Sequence, residues 1–550
     1  VLLACLVLSG SVAAHLHFAN VTFDDAFISF RYAENLARGD GLVFNPGERV
    51  EGYSNFLWTV LLALPLLGGL FPEDEVGLLA LAKGLGALFS LMSVLLLWHT
   101  SRSTSRTSNP GGPFELLSWV GPAYVAALPA VAIWGVGALE TPLVSFLLLL
   151  CVHLHLREDA AFERQQKTYP LSYVALFLAA LTRPEPVALA LPLAALRWLR
   201  RWRRLGFGRA TVDELRSVLW FLIPYGTFLL FRYGYYGELL PNTYYSKLHD
   251  DPEAWARGAR YLAAAARDFE VGFLAVAGLL ALALARRMPY RVQCTLLLVA
   301  TWSLVVAHEG GDWMPVHRML VPVLPLVGFL VGELARAVAQ VEPRHLEARW
   351  PAWLAPPRWT SAWNDTVERI AARPGAWKRL RWGAGTFLVA ALAANLVGQH
   401  RGLNMQTRSG WRGIELGQGL HFGAARWMRR ELSALDGTQR RPLLALGEAG
   451  VVPYVTRFPV LDLFGLTDRH IARQPGPLHR KFDVDYVLAR RPEYVFLLAQ
   501  RAPEGHWFSD HHHATVLLQN DRFQSEYAVL RDFGGAVLLR RVPADGGRIP

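Results

Sequence analysis

Two adjacent carboxylates, Asp24 and Asp25, follow the first apolar run of the chain and open the stretch DDAFISFRYAENLARGDGLVFNPGERVEGYSNFLW, which re-enters apolar sequence at Trp58. An acidic pair beside a membrane span is either a solvated loop or a carboxylate retained for proton chemistry. The second reading needs cations nearby. Arg183 in TRPEP, Lys247 at the end of PNTYYSK and Arg318 in HEGGDWMPVHRMLVPVLP each stand at the edge of an apolar run. A reaction between a lipid phosphate and a hydroxyl requires a carboxylate to take the hydroxyl proton and a cation to hold the departing phosphate. Asp24 or Asp25 suits the first task, and Arg183, Lys247 and Arg318 suit the second. Arg31, Glu140, Glu185, Asn242, His308, Glu309 and Asp312 recur at the same boundaries and are expected to line the same cavity.

Each of these residues also has an ordinary structural reading. Asp24, Arg31 and Glu34 share one face of a helix and would form ion pairs along it. Glu140 begins a span, where the helix dipole favours a carboxylate. Arg183 and Glu185 would pair inside a helical hairpin, while Lys83 and Arg318 can extend along a span to reach the surface. The aromatics of YGYYGELLPNTYYSK suit an interfacial belt. His308, Glu309, Asp312 and His317 match no familiar metal-ligand frame, so hydrogen bonding ranks above metal binding and no metal site is assigned.

The elements that must bring these groups together are read from apolar periodicity and charge. Of 550 residues, 52% are hydrophobic and 18% charged, which marks a multi-pass α-helical membrane protein. The net charge of +11 does not point to nucleic acid, because arginines collect in loops between apolar runs, at 99–113, 157–167, 197–209, 286–291 and the long stretch 336–381. All five loops are expected in the cytoplasm, beside anionic lipid headgroups. Apolar segments at 1–17, 76–98, 115–135, 142–156, 171–199, 215–234, 270–285, 292–308, 318–340 and 383–399 give ten or eleven membrane segments, the first entered partway. Residues 55–70 spoil the parity if they cross, so they are expected to lie along the outer face. The 171–199 segment has arginines on both flanks and must enter and return around TRPEP. The loop at 341–381 carries an amphipathic Trp350–Trp363 stretch expected to hug the bilayer surface. Cys5, Cys151 and Cys294 fall in apolar runs, and no disulfide or zinc site is expected.

The chain thus divides into a membrane domain, 1–399, with its outer loop at 20–58, and a more polar domain, 400–550. Strand-like runs at 443–447, 460–463, 494–498, 515–518 and 536–540 predict a small extracytoplasmic α/β domain.

The acidic loop, with GALETPL, LTRPE, PNTYYSK, GGDWMPVHRMLVPVLP and LDLFGLTDRHIA in order behind it, resembles the GT-C glycosyltransferases that use polyprenyl-phosphate sugars. The resemblance is to the branch of the mycobacterial terminal β-(1,2)-arabinofuranosyltransferase and the bacterial flagellar motor control protein. It implies a multi-pass enzyme of the bacterial inner membrane whose active site and second domain face the periplasmic side. Its donor would be a polyprenyl-phosphate sugar, such as that of a pentofuranose, and its acceptor an extracytoplasmic glycan, glycolipid or protein. It further implies inverting transfer, with Asp24 or Asp25 as base. Some members of the class recruit a divalent cation, and the sequence leaves that open. Asp462 and Asp468 either hold the acceptor or serve as turn and N-cap residues. Two other functions compete: a transporter of a lipid-linked or anionic solute, against which the sequence shows no inverted repeat, and a non-catalytic envelope or flagellar assembly factor.

Overall fold

The structure, a computed structural model, describes residues 2–70, 76–104, 117–247, 252–269, 288–340, short pieces between 361 and 372, 412–435, 441–477 and 479–542. The expected segments at 270–285 and 383–399, most of the 341–381 loop with Trp350–Trp363, and most of the loop at 99–113 lie outside them.

Among the described residues, four helices are long and apolar enough to cross a membrane: Gly77–Thr104, Phe207–Tyr236, Tyr290–His308 and the unit Arg318–Ala339. Leu2–His17, Phe56–Leu67 and Leu171–Thr182 are shorter apolar helices, and Pro129–Val136 meets Thr141–Glu163 at a bend of 119°. The helices approach closely where glycines face each other. A side chain on Gly121 would strike the Gly328 carbonyl, so the Val120–Ala127 and Leu324–Gln340 helices touch backbone to backbone.

The two breaks matter most, because non-helical backbone at this depth persists only where protein or a cavity surrounds it. In the first, Ala138 adopts φ 63° and Pro142 restarts the helix, which brings Glu140 to the bend. In the second, Arg183 is extended between Leu171–Thr182 and a 3₁₀ turn at Glu185–Leu189, because Pro184 and Pro186 withhold backbone donors. Ala190–Leu205 then returns to the starting level. Ser172 and Arg197, on opposite sides of the turn, both bond the Glu158 carboxylate. TRPEP is therefore the far tip of an excursion.

The second domain contains a mixed sheet built from β1 (Leu444–Leu446), β2 (Val460–Asp462), β3 (Tyr494–Leu497), β6 (Tyr527–Asp532) and β7 (Val537–Arg541), in the order β2-β1-β3-β7-β6. The first three are parallel and the last two antiparallel. A small hairpin, β4 (Gln500–Arg501) and β5 (Trp507–Phe508), stands apart. The strand expected at 515–518 is instead part of the helix His512–Leu518. Ala514 and Leu517 are its buried face, and their spacing of three outweighs the β preference of Thr515 and Val516. Strand β6 and the hairpin were not expected.

Candidate active site

The ends of these elements that lie next to the second domain converge on one polar cavity. Asp25 opens the Asp25–Arg38 helix, Asn55 precedes Phe56–Leu67, and Glu140 and Arg183 come from the two breaks. Lys247 ends the short Asn242–Lys247 helix, Arg318 begins its span, and Leu466 of the second domain closes one side.

The cations differ in how they are committed. Arg183 is spent on carboxylates, donating to Glu140 at 2.8 Å and to Glu185 at 2.9 and 2.5 Å. Asn55, itself hydrogen-bonded to Ser29, donates to the other Glu140 oxygen at 2.9 Å. Arg318 donates to Asp312 at 2.5 Å and lies 3.9 Å from Asp25. Lys247 has no hydrogen bond or ion pair among the described residues, although its charge acts on Asp25, Glu309 and Asp312.

The carboxylates are tuned apart by these neighbours. Burial pushes the Asp25 carboxyl above its ordinary range, against the pull of Lys247 and Arg318. Asp312 is also buried, but Arg318 and Lys247 outweigh the desolvation and hold it low. Burial and the neighbouring Glu185 push Glu309 up to about 8. A carboxyl raised by desolvation and set beside fixed cations is a candidate to take the proton of a substrate hydroxyl.

Asp24 faces the other way. Its carboxylate accepts the Val451 backbone N–H at 2.9 Å and lies 3.8 Å from His421, both in the second domain. Gly450 permits this approach, since a Cβ there would overlap Asp24. The twin aspartates thus part company, with Asp25 in the cavity and Asp24 in the seam.

Of the other residues expected to line the cavity, Glu185, Glu309 and Asp312 stand outside its lining, Glu185 bound to Arg183 and Asp312 to Arg318, while Arg31, Asn242 and His308 serve elsewhere. Arg31 is a cross-domain anchor that donates to the carbonyls of Phe44 (2.7 Å), Pro453 (2.8 Å) and Phe458 (2.7 Å) and to the Asn45 side chain (3.2 Å). Its five fixed donors match a cluster of carbonyls better than an open cavity. Asn242 bonds the carbonyls of Gly465 and Leu466, holding the LDLFGLTDRHIA turn. His308 is exposed beside Trp255, with ring centroids 5.3 Å apart. Lys83 ties down the chain before the acidic pair, donating to the carbonyls of Ala19 and Val21 at 2.6 and 2.8 Å. In the outer turn, Asp462 accepts from the backbone of Phe464, Gly465 and Thr467, and Asp468 caps Arg469–Ala472. Sequence reasoning overlooked Asn55 and Ser29. The signal was the polar Asn55 immediately before an apolar helix.

Among the described residues no group of three or more His, Cys, Asp or Glu side chains is arranged to hold a metal ion. Glu140 in the cavity and Asp312 behind it are taken up by Arg183 and Arg318. This donor set does not fit a divalent cation, and no step is routed through one.

Interrupted helices, an acidic first loop and a small α/β domain seated over the cavity mark a multi-pass membrane protein of the GT-C fold. Two crystal structures of ArnT from Cupriavidus metallidurans, apo and bound to undecaprenyl phosphate, superpose with TM-scores of 0.52 and 0.51 at 14% identity, each covering 99% of this chain and 98% and 99% of theirs. In sequence, the chain is similar to the terminal β-(1→2)-arabinofuranosyltransferases of Mycobacterium tuberculosis (31% identity over 255 residues) and Corynebacterium glutamicum (26% over 341). These matches cover 44% and 55% of this chain but only 36% and 46% of those proteins. Residues 410–547 match a domain family of unknown function (DUF8728).

Proposed function

We propose that the protein transfers a sugar from a polyprenyl-phosphate donor to an acceptor hydroxyl on the outer face of the bacterial inner membrane. One observation carries this reading: Asp25, half-buried at the cavity mouth, lies 3.9 Å from Arg318 and in the same cavity as Lys247, which has no partner of its own among the described residues. Asp25 takes the proton from the acceptor hydroxyl as its oxygen attacks the anomeric carbon. The bond from that carbon to the phosphate oxygen breaks, and the charge released on the polyprenyl phosphate is met by Lys247, with Arg318 behind it. Arg183 has a positioning role, holding Glu140 and Glu185 in place. A single displacement of this kind inverts the anomeric carbon. The similarity to arabinofuranosyltransferases supports a pentofuranose such as arabinofuranose as the sugar, and the ArnT complex with undecaprenyl phosphate supports a polyprenyl carrier.

The test uses the purified chain, a polyprenyl-phosphate arabinofuranose and a neutral arabinofuranose oligosaccharide. Asp25→Asn is expected to lower transfer by at least about a hundredfold, roughly 2.7 kcal/mol in barrier, and by much more than Asp24→Asn does. NMR of the product reads its anomer. Transfer that survives Asp25→Asn removes the base, and retention of configuration would recast Asp25 as a nucleophile.

A further inference from the structure

Close to Lys247, rings from two domains run in a row from the exposed Trp313 through His479 and Phe464 to the buried His513. Trp313 follows Asp312, the residue bound to Arg318, and is 69% exposed. Its indole faces His479 of the second domain edge-on, with centroids 6.4 Å apart. His479 meets Phe464 at 5.1 Å, and Phe464 meets His513 at 4.7 Å. The Ser246 hydroxyl donates to the Phe464 carbonyl at 3.2 Å, one residue before Lys247, so the row is tied to the cavity rim.

The loop that presents Trp313 is held under strain. Val316 and His317 have φ of 59° and 52°, in the left-handed region that a β-branched residue strongly disfavours. Such conformations cost on the order of 1–3 kcal/mol and persist where the surroundings impose them, often at ligand clamps. Here His317 pairs with Asp268 at 2.6 Å, and Arg257 donates to the Gly310 carbonyl at 3.3 Å. An exposed indole at a membrane boundary commonly anchors in lipid headgroups. This one faces the second domain instead. Burial, together with the nearby Lys247 charge, lowers His479 to about 4, so its ring is neutral at physiological pH.

We propose that Trp313, with His479 and Phe464, is the acceptor subsite and receives the apolar face of an uncharged sugar ring. The proposal rests on the transferase reading and specifies its acceptor class. A flat exposed indole fits the C–H face of such a ring, while a neutral His479 supplies a hydrogen bond without a charge of its own.

The experiment measures saturation-transfer NMR on the full chain in nanodiscs, with a neutral arabinofuranose tetrasaccharide and a glucuronic-acid tetrasaccharide as probes. The neutral probe is expected to receive saturation from wild type and from Asp25→Asn. Trp313→Ala should reduce that signal at least fivefold, and Trp313→Phe should retain most of it. In transfer assays Trp313→Ala raises the KM for the neutral oligosaccharide at least tenfold and leaves the donor KM within about twofold. Equal saturation in Trp313→Ala, stronger saturation of the acidic probe, or none in wild type overturns the subsite. If Asp25→Asn still transfers sugar while Trp313→Ala loses the probe, the base assignment fails and the subsite stands.

Discussion

At the scale of single residues, the separation of Asp24 from Asp25 decides the chemistry. Neighbours on a helix point about 100° apart, so one acid can face a cavity while the next faces a partner domain. Which acid does which was not legible from DDAF, because the answer depends on where Val451 and Lys247 lie. The cations had the same difficulty. Arg183, Lys247 and Arg318 looked alike at their span boundaries, yet Glu140, Glu185 and Asp312 occupy the two arginines. Lys247 is therefore expected to dominate phosphate handling. Lys247→Ala should lower kcat/KM by about a hundredfold, the order observed when one donor to a developing oxyanion is lost. Lys247→Arg, which keeps the charge, should recover part of the rate. Steady-state kinetics with varied donor checks this, and a Lys247→Ala enzyme within threefold of wild type would return the role to Arg318.

At the scale of elements, apolar run length located most of the described helices, but the expected segment at 115–135 is broken at Leu128, before Pro129, into Val120–Ala127 and Pro129–Val136. Val1–His17 became Leu2–His17, 292–308 became Tyr290–His308, and the charged flanks of 171–199 foretold its in-and-out path. Composition did not reveal that the helix carrying the acids is also the dock for the second domain. Arg31 reads as one member of a local ion-pair face, but its carbonyl partners Pro453 and Phe458 lie more than 400 positions away. Removing its guanidinium strands several buried acceptors, each costing about 1–3 kcal/mol when unpaired. Arg31→Met, which fills similar volume, is expected to destabilise the protein by about 3 kcal/mol and to expose the seam to protease. Limited proteolysis with thermal unfolding reads both effects. Because Arg31 lies outside the cavity, the folded fraction should bind donor with a Kd close to wild type; a weakened Kd in that fraction would place Arg31 back in the site.

At the scale of the whole molecule, the seam couples the membrane part to the second domain through acids that share a dry space. Burial and then the nearby Asp24 and Asp462 push Glu448 up to about 8, and neither of its carboxylate oxygens has a hydrogen-bond partner among the described residues. His511 lies 4.0 Å from Glu448, and His421 lies 3.8 Å from Asp24. A carboxyl whose folded value lies above its unfolded one, about 4.5, binds more protons in the folded state across that interval. Its contribution to stability is complete below about pH 4.5 and is lost as pH rises through about 8, when a second negative charge appears beside Asp24. Glu309, also raised to about 8, acts in the same window from the cavity side. Thermal unfolding of the detergent-solubilised chain should therefore weaken between pH 6 and 9. Glu448→Gln should flatten part of that slope, and the double variant with Glu309→Gln should flatten more. Asp24→Asn should lessen the Glu448 component by removing the charge that opposes its ionisation. Parallel slopes for wild type and Glu448→Gln would mean that this side chain keeps its proton throughout the range and that the domains are held together by other cross-domain contacts, Arg31 and Asn242 among them.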